Sequence, residues 1–148
     1  MLRRRLLGLA AAWLVSAAPA LAERPWFDTS GGLAISGYDV VAYFTEGQPV
    51  RGRAAYAVMW KGATWHFASA ENRTHFEMNP RAYAPQYGGY CAYSVARGTV
   101  SPADPEAWRI HENRLYLTHT TQVGRLWAQD IPGNILKANA NWPGVLNR

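Results

Sequence analysis

The chain holds a single cysteine, Cys91, among 148 residues. That excludes an intrachain disulfide, and a four-ligand structural zinc site, which draws on close Cys or His pairs, is set aside with it. No apolar run reaches the roughly 20 residues of a comfortable membrane span. The longest, residues 6–18, is broken by Gly8 and Ser16 and ended by Pro19. Beyond residue 22 there is no block of Lys or Arg able to neutralise several phosphates, so nucleic acid is not expected as a partner. No internal repeat and no low-complexity tract occurs, which removes repeat architectures.

What is present begins with an export signal. Arg3-Arg4-Arg5 forms a basic start, residues 6–18 an apolar stretch, and Ala20-Leu21-Ala22 a small-x-small cleavage site. Residues 1–22 therefore read as a cleavable signal peptide and residues 23–148 as a single exported domain, with no stable membrane span after cleavage and a periplasmic or secreted location. Arg3-Arg4-Arg5-Leu6-Leu7 resembles a twin-arginine signal in part, with Leu2 where Ser or Thr is usual. The general secretory route is the alternative. Three of the 15 basic residues lie in the leader, which has no acid, so 12 face 10 acids over residues 23–148. Trp at 26, 60, 65, 108, 127 and 142 supplies bulk for a well-packed core.

Residues 23–32 form an irregular lead-in. Residues 40–44 are apolar and fit either a short helix or a strand. Residues 55–60 and 64–68 flank Lys61-Gly62-Ala63 as a hairpin, with Trp65 and Phe67 on one face and Thr64, His66 and Ala68 on the other. Ser69 is an N-cap for a helix reaching about Met78, which Asn79-Pro80 stops. A second hairpin spans residues 108–111 and 114–118 around Glu112-Asn113. Thr120 or Thr121 opens a helix carrying Val123, Leu126 and Trp127, and a last helix runs from Pro132 to about Asn139. Asp39 and Asn141 are expected to hold turns through side-chain to backbone bonds. Hairpin, helix, loop, hairpin and helices make an α+β fold with a small antiparallel sheet.

Four stretches carry a family resemblance: Gly37-Tyr38-Asp39-Val40-Val41-Ala42-Tyr43-Phe44, Trp65-His66-Phe67-Ala68-Ser69-Ala70-Glu71-Asn72-Arg73, residues 79–92 with Tyr87-Gly88-Gly89-Tyr90-Cys91, and Ala140-Asn141-Trp142-Pro143. Together they resemble the exported bacterial YHS-domain proteins. The resemblance implies an association with heavy-metal handling, since YHS domains occur beside copper-transport ATPases and in some hydroxylases. Many such relatives carry paired cysteines. Here Ser69 stands after Phe67 and no second thiol exists.

Cys91 is the candidate soft ligand, because thiolates suit Cu(I) and neutral imidazole suits copper. His66, His75 and His111 are the candidate completing ligands, with His119 a fourth. The competing reading makes Cys91 a small buried residue beside Gly89. Tyr87, Gly88, Gly89, Tyr90 and Tyr93 are candidates for binding a ligand or partner, against a core corner in which each hydroxyl meets the backbone. The leading expectation is a periplasmic metal-associated binding protein, its cofactor a copper or other transition-metal ion and its partner that ion or a periplasmic protein. The alternatives are a non-catalytic interaction module using the Tyr/Gly segment, and a small thiol-dependent enzyme in which a base would have to lie beside Cys91.

Overall fold

The computed structural model describes residues 8, 10–17 and 23–148. The basic start of the expected leader and its Ala20-Leu21-Ala22 site lie outside the described residues. Residues 10–17 have no regular secondary structure and are exposed, Leu14 almost completely. Among the described residues no helix is long and apolar enough to cross a membrane.

The lead-in ends in a 3-10 segment, Ala34–Gly37, and the apolar stretch after it resolves as a short helix, α1 (Ala42–Thr45). Strands β1 (Arg53–Trp60) and β2 (Ala63–Phe67) pair antiparallel across Lys61-Gly62. Both turn residues have positive φ, 48° and 77°, the backbone a tight two-residue hairpin demands. In β2 the alternation expected from sequence holds: Ala63, Trp65 and Phe67 are buried, while Thr64 and His66 are half-buried. Each large side chain sealed this way contributes about 1.5–3 kcal/mol of burial energy.

Ser69 caps α2 (Ala70–Met78) by accepting the Asn72 amide at 3.1 Å. Pro80 then opens one further turn, α3 (Pro80–Tyr83), where its missing N–H costs nothing. A 3-10 segment, Gln86–Gly89, leads to α4 (Ala92–Ala96), a short helix where the residue pattern predicts a loop.

The second hairpin is β3 (Asp104–His111) and β4 (Arg114–Thr118), joined by Glu112-Asn113 with φ of 48° and 60°. Strand β3 starts four residues before the expected position, because a register shift between Asp104 and Trp108 absorbs Pro105. Helix α5 (Thr121–Ala128) is capped by Thr120, which accepts the Val123 amide at 3.0 Å. Helix α6 (Ile131–Asn141) is capped by Asp130 on the Gly133 amide, also at 3.0 Å. Among the described residues, six helices and two small antiparallel two-stranded sheets make an α+β fold.

Strand β4 joins two cores. Leu115 and Leu117 face a core built on Trp65, Phe67 and Phe76. Tyr116, pointing the other way, packs in a second core with Trp127, Val95 and Ala138. The two-residue period of a strand thus hands alternate side chains to opposite sides. Asn141 works differently from the expected turn: its side-chain amide donates to the Val95 carbonyl at 2.8 Å, tying α6 to the end of α4.

Candidate functional site

Cys91 is the N-cap residue of α4 and is fully buried. Its amide donates to the Ser101 carbonyl at 3.0 Å and its carbonyl accepts from Val95 at 3.1 Å. The histidines sit on separate elements. His66 is half-buried on β2, against Gly37 and Gly52. His75 lies on the outer face of α2, its Nε2 3.6 Å from Glu71. His111 ends β3 at the hairpin tip, 3.9 Å from Glu112. His119 is exposed, with Nδ1 2.7 Å from the Pro102 carbonyl. Among the described residues no group of three or more His, Cys, Asp or Glu side chains is arranged to hold a metal ion.

The Tyr/Gly segment is shaped by the lead-in that lies across it. Tyr87 and Gly88 both have positive φ, 55° and 63°. A Cβ on Gly88 would overlap the Trp26 carbonyl and stand 3.2 Å from the Trp142 ring. The Gly88 carbonyl in turn accepts the Asp28 amide at 2.8 Å. A Cβ on Gly89 would overlap the Ile35 side chain. The two glycines therefore admit this chain's own lead-in.

The tyrosine hydroxyls divide. Tyr90 donates to the Pro25 carbonyl at 2.7 Å, and Tyr87 to the side-chain oxygen of Asn139 at 2.9 Å. Burial pushes the pKa of both upward. Tyr93 stands apart, stacked under Arg97 at 5.5 Å.

Tyr87 and Gly88 also line an open cleft of about 330 Å³. Trp26, Trp60 and Trp142 form its aromatic walls, and Lys61, Arg81 and Arg114 bring positive charge to it. Trp26 meets Trp142 edge-on, with ring centres 5.2 Å apart, and the Lys61 ammonium lies 5.2 Å over the Trp60 ring. Of the five binding candidates read from sequence, the structure brings Tyr87 and Gly88 to this cleft. Gly89 and Tyr90 pack against the lead-in.

Two buried carboxylates organise the surroundings, and their wider contacts were not read from sequence. Asp39 is fully buried. Its Oδ1 accepts the Val41 and Ala42 amides at 2.9 and 3.2 Å, the turn role expected of it. Its Oδ2 accepts the Ala68 amide and the Asn72 side chain, both at 2.8 Å. Asp28 accepts from the amide and hydroxyl of Ser30 and, at 3.1 Å, from the Ala103 amide. Each carboxylate spends its lone pairs on the chain's own donors, which suits a structural hub better than a proton-transfer group.

No curated protein and no solved structure gives a significant match to the chain. A family model does match, over a shorter stretch than the motif resemblance spans. The YHS-domain model matches residues 41–87, a stretch that takes in α1 to α3 and the first hairpin and leaves Cys91 and the second hairpin outside it.

Proposed function

We propose that this chain is an exported, non-catalytic binding protein whose YHS domain and following Tyr/Gly segment build a ligand cleft. The observation that carries the reading is the cleft itself. Lead-in, first hairpin, Tyr/Gly segment and the end of α6 meet there around about 330 Å³ of space lined by aromatic rings, within the size of small-ligand sites. The test is a screen of small aromatic compounds of either charge and none, followed through the indole N–H resonances of Trp26, Trp60 and Trp142. Shifts confined to these three support the reading; no shift with any compound overturns it. Export is tested separately by sequencing the N-terminus of the protein recovered outside the cytoplasm, where Glu23 is the expected first residue.

The detected domain favours a second reading, because YHS domains are commonly linked to metal-associated proteins. In it, copper is the first metal to try, with Cys91 as thiolate and His66, His75 or His111 alongside. The donors do not fit a site within one chain: Cys91 is sealed and no three candidate ligands converge among the described residues. Metal association through Cys91 therefore requires the segment around the α4 N-terminus to open. Competitive Cu(I) titration of the reduced protein against a chromogenic chelator tests it, with Cys91→Ser as control. Tight binding lost in the variant supports copper, and absence of competition removes it.

A further inference from the structure

Three cations reach one cleft from three different elements. Lys61 is in the β1–β2 turn, Arg81 is in α3, and Arg114 is the first residue of β4. The tips of both hairpins thus deliver positive charge to the same place. Among the described residues no Asp or Glu lines the cleft. None of the three cations takes part in an ion pair among the described residues, where Arg73 is paired with Glu77. Like charges gathered around a concave surface with aromatic walls repel one another and focus a positive field into it. A bound anion relieves that repulsion.

The walls specify the rest of the ligand. Trp26, Trp60 and Trp142 present flat apolar surface, which favours a planar body through burial and ring–ring contact. The Lys61 ammonium over the Trp60 ring sets charge directly beside that surface. The volume, at the low end for ligand sites, admits a small molecule.

We propose that this cleft binds a small anion with a planar apolar body, of the class of an aromatic carboxylate. The proposal rests on the reading of the cleft as a ligand site and adds the charge and shape of what enters. Exposed cations each contribute modestly and are screened by salt, so selectivity comes from the three together.

The experiment titrates the purified full chain with phenylacetate, its neutral isostere phenylacetamide, and inorganic phosphate, read through the Trp26, Trp60 and Trp142 indole resonances. Phenylacetate is expected to bind about tenfold more tightly than phenylacetamide, a difference of about 1.4 kcal/mol. That preference should vanish in about 1 M salt, where the screening length is about 3 Å. Lys61→Asn, Arg81→Gln and Arg114→Gln should each weaken phenylacetate about two- to fivefold. Asn suits the left-handed turn position at 61, and all three sites are exposed, so the fold survives, which a circular dichroism spectrum checks. Equal binding of phenylacetamide overturns the anion preference and leaves the cleft reading standing. Phosphate matching phenylacetate overturns the planar half. No response to any compound overturns both.

Discussion

The side-chain amide of Asn72 donates to Oδ2 of Asp39 at 2.8 Å, joining the first turn of α2 to the loop before α1. Oδ2 also takes the Ala68 amide, and Oδ1 the amides of Val41 and Ala42. One buried carboxylate thus fixes both ends of the first hairpin region.

Replacing Asp39 by Ala strands four donors, the Val41 and Ala42 amides in buried positions and the Ala68 amide and Asn72 side chain in half-buried ones. The expected cost is about 3–5 kcal/mol, the range for breaking a buried, fully bonded charge. Urea unfolding monitored by Trp fluorescence measures it. Asn72→Ala, which removes one of the four donors, should cost about 1–2 kcal/mol. Equal losses in the two variants would show that Asp39 is not the hub.

Gly88 and Gly47 separate backbone strain from close approach. Both have positive φ, 63° and 66°, yet a Cβ on Gly47 meets nothing within 4 Å whereas one on Gly88 overlaps the Trp26 carbonyl. Gly47→Ala should cost about 1 kcal/mol, the left-handed penalty alone. Gly88→Ala should cost about 3 kcal/mol or more, since the lead-in must also lift. Thermal melts of the pair give the difference directly.

Alkaline stability should fall through the buried tyrosines. Tyr43 is sealed, donates to the Pro105 carbonyl at 2.7 Å, and has its pKa raised above the ordinary 10.0 by burial and then by Glu106. Tyr87 is raised likewise, by burial and then by Tyr116. In the unfolded chain each hydroxyl ionises near the ordinary value, so there the folded state holds more protons. The stabilisation is complete below that pH and is lost as pH rises above it, by about 1.4 kcal/mol per unit for each retained proton. Urea midpoints across about pH 9 to 12 should drop more gently in Tyr43→Phe than in the parent. An unchanged slope would place Tyr43 outside this effect.

The Cys91 thiol should be shielded. With the residue fully buried, Ellman's reagent should label the native chain about a hundredfold more slowly than the urea-unfolded chain, reaction waiting on local opening. Rapid native labelling would mean that the α4 N-terminus opens readily.

Local signals in the sequence translated well. Ser69 and Thr120 cap helices because a hydroxyl ahead of a first turn satisfies an otherwise unbonded amide. The two hairpins follow from alternating strands around Gly62 and Asn113. What escaped was non-local. Ile35, Ser36 and Tyr87 adopt left-handed backbone that no residue-level preference favours; burial holds Ile35 and Tyr87 there, and Tyr87 is further tied to Asn139. The cleft escaped for the same reason, since its cations come from positions 61, 81 and 114, each unremarkable among its neighbours. The histidines, equally scattered in sequence, did not converge.

The lead-in lies against the far end of the chain. The Arg24 amide reaches the Leu146 carbonyl at 3.4 Å, and Trp26 abuts Trp142. Contacts of this sequence separation close a very long loop, so they carry a large entropic cost. Residue 26 supplies one part of the aromatic wall and residue 142 the part that adjoins it. A polypeptide that stops short of residue 142 therefore lacks part of the cleft, and binding begins only once that residue is in place.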